Sequence, residues 1–299
     1  MIWKGVMPAM TTAFRPDFSL DPVAIAKRAK WLIDSGCTGI VALGSLGEAA
    51  TLTHDEKREV LKIIRAAISA PLVSAISGLS TTETVALAKM AAAVGCDGLM
   101  VLPPYVYRGD WRETKAHVGA ILQSTPLSCM LYNNPVAYGT DFTPEQISEL
   151  ADEHDNLMAV KESSTDVRRV TAIRALLKDR LAVFVGVDDA IVEGIAAGAI
   201  GWIAGLVNAF PEESVRLFEL ASAGRWDETF ELYNWFLPLL RLDTVPKFIQ
   251  LIKLAEARAG VGTPTVRAPR LELAGEELTT VSQMIDNAIA HRPSLLKTV

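Results

Sequence analysis

Short apolar runs alternate with longer amphipathic segments along the first two thirds of the chain. Each run is apolar throughout, which is typical of strands that are buried on both faces of a parallel sheet. The eight runs are 6–14, 39–44, 71–77, 98–103, 127–133, 157–161, 181–186 and 199–205. Helical spacing of apolar residues marks the segments between them, for example 23–35, 53–68 and 81–94.

Helix-start signals support this alternation of strands and helices. Thr53 with Glu56, and Ser80 with Glu83, have the spacing of a capping box. Eight such units predict a closed (β/α)8 TIM barrel. The alternative is a two-halved Rossmann-like fold, but the glycine-containing segment 44–48 lacks the G-x-G-x-x-G pattern that such a fold uses for phosphate binding.

The alternation ends at about residue 225, and the remaining chain has helical spacing. Three helices are predicted over 227–240, 245–259 and 275–290, with a loop rich in proline and threonine at 262–270. We therefore expect a barrel catalytic domain over residues 1–224 and a C-terminal helical extension over residues 225–299. Because the extension has apolar faces, it must cover either the barrel wall or a neighbouring subunit.

The composition indicates which partners to exclude and in which compartment to expect the protein. The chain has 299 residues, of which 50% are hydrophobic and 21% charged, and a formal charge of −6. This balance argues against nucleic acid or an anionic membrane as a partner. No apolar stretch is long enough to span a membrane and no signal peptide is recognisable, so we expect a cytoplasmic protein.

Cysteines and histidines give no sign of a disulfide framework or a metal site. Cys37, Cys96 and Cys129 are widely spaced within apolar segments, and the four histidines form no ligand-type spacing. We expect reduced core thiols and no bound metal.

Lys161 is the first candidate for chemistry, because it ends the apolar run 157–161 and would lie at the rim of the sheet. Functional residues of such barrels lie at the carboxyl ends of the strands. A lysine in a low-dielectric wall loses part of its preference for the ammonium form, so its amine can attack a carbonyl and form a Schiff base. The alternative is a lysine whose ammonium group simply extends to water.

Other strand ends would bring polar side chains to the same rim. Tyr132 lies near the end of the run 127–133, and Ser45 follows the run 39–44. A tyrosine beside an imine-forming lysine can transfer protons, and hydroxyl groups with backbone amides can hold a carboxylate. Taken alone, Tyr132 is more typical of a half-buried core residue, and the set of residues favours a Schiff-base enzyme. Asp188, after the seventh run, either faces the pocket or caps a helix.

Three segments resemble the dihydrodipicolinate synthase / N-acetylneuraminate lyase superfamily. Residues 44–48 (Gly-Ser-Leu-Gly-Glu) resemble its G-[ST]-T-G-E segment, residues 132–135 (Tyr-Asn-Asn-Pro) its Y-N-x-P motif, and residues 160–164 (Val-Lys-Glu-Ser-Ser) its Schiff-base segment. The three occur in the order and at the spacing of the superfamily, and the resemblance runs over nearly the whole chain.

The resemblance implies a barrel with a helical tail, a homotetramer or dimer, and class I aldolase-type chemistry on small 2-oxo acids without metal or cofactor. Lys161 would form the imine, Tyr132 would act as acid and base, and Ser45 with the backbone around Leu46 would bind the substrate carboxylate. The residues predicted to bind substrate are Gly44, Ser45, Leu46, Tyr107, Asn134, Gly186 and Ile203.

The chain departs from the synthase pattern at three polar positions. Leu46 replaces the second threonine of the motif, and Ala137 stands where synthases carry an arginine for the carboxylate of the aldehyde substrate. Val106 stands where a neighbouring synthase subunit lends a tyrosine, with Tyr107 one place later. A site that discriminates by such hydrogen bonds loses its substrate without them, so these departures argue against a true synthase.

A narrower resemblance points to the 1-pyrroline-4-hydroxy-2-carboxylate deaminases of hydroxyproline catabolism. Its basis is the Gly-Ser-Leu-Gly-Glu variant, the stretch 132–138 (YNNPVAY), and the segments 205–210 and 252–256. The best hypothesis is deamination and dehydration of this imino acid to 2,5-dioxopentanoate. Alternatives are dihydrodipicolinate synthase, a 2-keto-3-deoxy sugar acid dehydratase or aldolase, a related pyruvate-forming lyase, and a non-catalytic paralogue that binds a 2-oxo acid.

Overall fold

The computed structural model describes residues 3–294 as a closed barrel of parallel strands. The strands lie in the order β1-β8-β7-β6-β5-β4-β3-β2, and a parallel bridge between Ala9 and Val41 brings β1 against β2. They are β1 (Gly5–Pro8), β2 (Ile40–Ala42), β3 (Leu72–Ile76), β4 (Gly98–Val101), β5 (Ser128–Asn133), β6 (Leu157–Glu162), β7 (Ala182–Val185) and β8 (Gly201–Ala204). The predicted (β/α)8 TIM barrel is confirmed.

The first predicted strand was too long. Strand β1 ends at Pro8, whereas the apolar run extends over 6–14. Phe14 lies in the following loop, buried and bridged to Leu20. An apolar run shows that residues are buried, but it does not show where the backbone leaves the sheet.

Helices separate the strands as expected. They are α1 (Pro22–Asp34), α2 (His54–Ala67), α3 (Thr81–Val94), α4 (Trp111–Gln123), α5 (Pro135–Tyr138), α6 (Pro144–Glu153), α7 (Arg168–Leu177), α8 (Ile191–Ala196) and α9 (Pro211–Ser222). The capping box of Thr53 and Glu56 is present at the start of α2. At α3, Ser80 accepts from the Glu83 N–H, but the Glu83 carboxylate accepts from Leu79 instead of completing the box.

The C-terminal extension contains the three expected helices, α10 (Trp226–Leu240), α11 (Phe248–Arg258) and α12 (Gly275–Ala290). Residues 262–270 contain no helix or strand, as predicted. Residues 1–2 and 295–299, at the outer ends of the two expected domains, lie outside the described residues. The division into 1–224 and 225–299 stays a prediction, as does assembly into a homotetramer.

Residues 3–294 also bear on the cysteines, on groups that could hold a metal ion and on membrane-spanning helices. All three cysteines are buried and free, as expected of core thiols. Within these residues, no group of three or more histidine, cysteine or acidic side chains is arranged to hold a metal ion. None of the described helices is both long enough and apolar enough to cross a membrane.

Buried ion pairs join the extension to the barrel. Lys253 on α11 pairs with Glu48 at 2.5 Å and donates to the Thr265 carbonyl at 2.7 Å. The other Glu48 carboxylate oxygen accepts the Arg267 N–H at 3.0 Å. Since Glu48 ends the segment 44–48 at the barrel mouth, α11 and the chain that follows it hold this segment in place.

Removing one partner of this pair should be costly. We expect Lys253→Met to lower the free energy of unfolding by about 3 kcal/mol, because the buried Glu48 would lose its close counter-charge and keep only the Arg270 guanidinium at 3.7 Å. Chemical denaturation measures the change. Lys247→Met is the matched control, since Lys247 pairs with Glu277 at the surface and should contribute less than about 1 kcal/mol.

The double variant Glu48→Gln/Lys253→Met removes both charges and should be less destabilised than Lys253→Met alone. Equal losses for Lys253→Met and Lys247→Met would contradict a structural role for the buried pair.

Candidate active site

A cavity of about 390 Å3 opens at the carboxyl end of the barrel. Its walls combine strand ends with the segment between α10 and α11. The predicted site residues that line it are Gly44, Ser45, Leu46, Tyr132, Asn134, Lys161, Gly186 and Ile203. The structure therefore brings these eight residues together.

Tyr107 is the predicted substrate-binding residue that the chain does not bring to this cavity. It is 61% exposed, and its hydroxyl donates to the Glu113 carboxylate at 3.1 Å. It lines a separate depression beside His117. The loop after β4 carries Tyr107 outward together with Val106, which is also exposed.

A bulge in strand β6 turns Lys161 into the barrel. Cys129 pairs with Leu157 and Met130 with Ala159, so Met158 is an extra residue on β6. Leu157 packs in the core between the barrel and the helices, whereas Ala159 packs in the barrel interior. Because strand side chains alternate between faces, the extra residue places Lys161 on the inner face.

Lys161 lies beside Tyr132 with its amine over the phenol ring. The two residues are direct partners in the ladder, and the Lys161 Nζ lies 4.3 Å from the ring centroid. Lys161 is only 6% exposed. A Cβ atom at Gly186 would lie 2.5 Å from Lys161 Cε, so glycine at this position leaves the lysine its space. The result is a buried amine next to a phenol side chain.

Tyr132 belongs to a group of hydroxyl and amide side chains that includes one residue the sequence analysis did not assign. Asn134 donates to the Tyr132 hydroxyl at 3.0 Å. Tyr138 packs edge-on against Tyr132, with 5.6 Å between ring centroids, and hydrogen-bonds with the Ser45 hydroxyl. Burial raises the pKa of Tyr138 well above its usual value. Tyr138 therefore connects Ser45 to Tyr132 within one chain.

The segment after β2 offers hydrogen-bond donors for a carboxylate. Its shape is fixed by Thr12, whose hydroxyl donates to the Gly47 carbonyl at 2.7 Å, and by a left-handed backbone at Glu48. Within residues 3–294, the N–H groups of Ser45 and Leu46 donate to no protein acceptor. Successive free N–H groups and a hydroxyl form a site that suits an anion.

Asp188 supports the loop after β8 and does not line the cavity. Its carboxylate accepts from the backbone N–H groups of Gly205 at 3.0 Å and Leu206 at 2.8 Å, and from the Trp202 indole at 3.1 Å. Burial raises the pKa of Asp188 to about 6, although these donors act in the opposite direction. Of the two roles considered for Asp188, capping of backbone N–H groups is the one observed.

Two further polar side chains line the cavity and were not identified from the sequence. Ser163 Oγ and Asp243 Oδ1 are buried and have no hydrogen-bond partner among the described residues. Ser163 lies in the segment 160–164, two residues after Lys161. Asp243 lies in the short gap between two predicted helices, and its polarity there was the only available signal.

Comparisons with known proteins agree with this geometry. The model of the dihydrodipicolinate synthetase family matches residues 2–288. A 4-hydroxy-tetrahydrodipicolinate synthase of Xanthomonas axonopodis pv. citri is 33% identical over 299 residues, covering 97% of this chain and 96% of that protein.

Two solved structures are similar over nearly their full length. A dihydrodipicolinate synthase of Bacillus anthracis has a TM-score of 0.91 and 27% identity, covering 96% of this chain and 98% of that one. The chloride-inhibited dihydrodipicolinate synthase of Acinetobacter baumannii, in complex with pyruvate, has a TM-score of 0.89 and 26% identity, covering 95% and 98%.

These matches confirm the superfamily and give no support to the narrower resemblance to the deaminases. Enzymes of the matched family are lyases that act on small molecules through a covalent lysine Schiff base with pyruvate and need no external cofactor. The chain belongs to the dihydrodipicolinate synthetase family.

Proposed function

We propose that Lys161 forms an imine with a small 2-oxo or cyclic 2-imino acid and that Tyr132 moves protons at the carbon next to the imine. The buried amine beside the Tyr132 ring supports this assignment. The Ser45 hydroxyl and the free N–H groups of Ser45 and Leu46 are positioned to receive the carboxylate of the substrate. The reaction needs no metal or cofactor, because the imine formed by the lysine itself withdraws electrons from the neighbouring carbon.

The charge of the cavity suits one bound carboxylate, whereas a synthase brings together two, one on pyruvate and one on the aldehyde substrate. Among the described residues that line it, Lys161 is the only basic one, and Asp243 is acidic. Ala137 also lines the cavity, at the position where synthases carry an arginine. A second substrate carboxylate would be desolvated here without a cation, which is unfavourable. This observation favours the monocarboxylate 1-pyrroline-4-hydroxy-2-carboxylate, converted to 2,5-dioxopentanoate and ammonia.

The residues account for each step of this reaction. Lys161 Nζ attacks C2 and the ring C2–N bond breaks, which leaves a lysine imine and a free amine on C5. Tyr132 takes a proton from C3, and the C4 hydroxyl leaves as water. After tautomerisation, two water molecules hydrolyse the C5 imine and the lysine imine, releasing ammonia and the product. One water is lost and two are taken up, so the atoms balance.

The second candidate is 4-hydroxy-tetrahydrodipicolinate synthase, which the comparisons favour over the deaminase. The relatives described above carry synthase names, and the Acinetobacter baumannii structure contains pyruvate. A lysine imine also serves a 2-keto-3-deoxy sugar acid dehydratase, an aldolase or a pyruvate-forming lyase. A non-catalytic binder would need neither the buried amine of Lys161 nor the adjacent hydroxyl of Tyr132.

A substrate panel separates these reactions. We expect the purified protein to release ammonia from 1-pyrroline-4-hydroxy-2-carboxylate, followed in a coupled assay. Lys161→Arg should abolish turnover, because a guanidinium keeps the charge but cannot form the imine. Turnover of pyruvate with aspartate semialdehyde, without ammonia release from the pyrroline, would favour the synthase. Pyruvate release from a sugar-derived acid would favour a lyase, and full activity of Lys161→Arg would exclude imine catalysis by this lysine.

The tyrosines can be tested without knowledge of the final substrate. Exchange of the methyl hydrogens of pyruvate for deuterium, followed by NMR, reports imine formation and proton removal at C3. We expect Tyr132→Phe to slow this exchange by about 100-fold or more, because a positioned proton-transfer group contributes on that scale. Tyr138→Phe should slow it less, since its hydroxyl acts through Ser45 and Tyr132.

Tyr105→Phe is the matched control for these two variants. Tyr105 packs against the Tyr138 ring, with 5.9 Å between centroids, and is partly exposed. Removal of the Tyr105 hydroxyl should leave the rate of hydrogen–deuterium exchange in pyruvate unchanged. Equal rates for Tyr132→Phe and Tyr105→Phe would contradict proton transfer by Tyr132.

A further inference from the structure

Asp243 is an acidic side chain at the cavity that has no role in the reaction steps proposed for Lys161 and Tyr132. It ends a short 3-10 helix, Arg241–Asp243, that follows α10 and precedes α11. Asp243 lines the cavity together with Lys161, and its Oδ1 atom is buried without a hydrogen-bond partner among residues 3–294. This Oδ1 atom packs against Gly205, and the carboxyl group as a whole lines the cavity. An unpaired carboxyl group at a cavity is unfavourable unless a ligand satisfies it, so a polar group on the substrate is the expected partner of Asp243.

The backbone at β8 is adapted to this carboxyl group. A Cβ atom at Gly205 would collide with Asp243 Oδ1 and come within 2.8 Å of Oδ2, so the side chain occupies space that only glycine leaves free. Gly205 itself is held by its N–H donated to Asp188. The two acids therefore contact the same loop after β8 from different segments, Asp188 satisfied by backbone donors and Asp243 lining the cavity.

The electrostatic surroundings favour the protonated form of Asp243. Burial is the main cause, and the nearby Asp188 carboxylate adds to it, so the pKa of Asp243 lies well above its usual value although Lys161 opposes the shift. The other polar side chains that line the cavity within the described residues are Ser45, Tyr132, Asn134, Ser163, Thr165 and Thr244. None of these is a carboxylic acid, and a hydroxyl or amide is a far weaker proton donor.

We propose that Asp243 is the catalytic acid of the elimination step, donating a proton to the hydroxyl group that leaves from C4 of the imine-bound substrate. This inference rests on the proposed elimination from a 4-hydroxy imino acid. The C3–H and C4–O bonds break and a C3=C4 double bond forms. The C3 proton passes to Tyr132, and the Asp243 proton leaves with the hydroxyl as water. Solvent returns the proton to Asp243, so the step needs no oxidant or reductant.

The test compares two leaving groups on the same pyrroline ring. Loss of hydroxide needs an acid, whereas chloride leaves without a proton. We expect Asp243→Asn, which preserves shape but cannot donate an acidic proton, to slow ammonia release from the 4-hydroxy compound by about 100-fold or more. With the 4-chloro analogue, chloride release in a single turnover should proceed at the wild-type rate, which also shows that the variant is folded.

Asp189→Asn is the matched control. Asp189 lies next to Asp188, pairs with Arg241 at 3.5 Å and does not line the cavity. This variant removes one negative charge from the same region. Because Asp189 raises the pKa of Asp243 less than burial and Asp188 do, the variant should release ammonia within a few-fold of the wild-type rate.

Each result separates this inference from the proposed function. An equal loss of hydroxide and chloride elimination in Asp243→Asn would assign a structural role and overturn the acid assignment. Wild-type ammonia release by Asp243→Asn would overturn it as well. If the wild-type protein exchanges the hydrogens of pyruvate but eliminates neither group, the proposed function itself fails and the acid assignment fails with it.

Discussion

The pairing of β5 with β6 sets Tyr132 beside Lys161, and the chemistry of the cavity depends on this one register. A shift of one residue would move every side chain of β6 to the opposite face of the sheet. The bulge at Met158 shows this dependence, because an uninterrupted alternation from Leu157 through Met158 would place Lys161 on the outward face with Leu157. The barrel encloses the lysine as a result, and the amine meets a tyrosine where it would otherwise meet the helices.

Buried ion pairs fix the C-terminal extension on the barrel, and this position makes the extension part of the cavity wall. Lys253 and Glu48 are almost completely inaccessible, as are Arg28 on α1 and Glu256 on α11, which also pair. Such pairs are expensive to desolvate and add little net stability, but breaking one is strongly unfavourable. They specify one position of α11 on the barrel. That position brings Asp243 and Phe248 to the cavity and fixes the segment that carries Ser45.

The polar contacts at the cavity are made within one chain and by residues other than those of the synthase pattern. Tyr138 lies one residue after Ala137 and reaches Ser45 from the same chain, whereas Val106 and Tyr107 point outward. The cavity consequently contains one basic side chain and one unpaired acid. This balance is the observation behind the proposed deaminase, whereas relatives at about one third identity carry synthase names.

Much of this site follows from the sequence because parallel strands end at one edge. Lys161, Tyr132 and Ser45 each lie at or just after the end of an apolar run, so their convergence requires only the strand order of a barrel. Asp243 and Tyr138 do not follow from such a pattern, because their positions depend on how α10, α11 and α5 pack. The bulge at Met158 could not be predicted either, since a run that is apolar throughout does not indicate which residues face the barrel interior. Tyr107 does not line this cavity within one chain, because local packing sets the direction of the loop that carries it.

The most direct test of the imine is borohydride reduction of the protein in the presence of pyruvate, followed by peptide mapping. We expect a stable pyruvate-derived adduct on the peptide that contains Lys161 and none on the peptide with Lys253, which is also buried but paired with Glu48. The adduct should be absent in Lys161→Arg. An unmodified Lys161, or an adduct confined to another lysine, would contradict imine formation by Lys161.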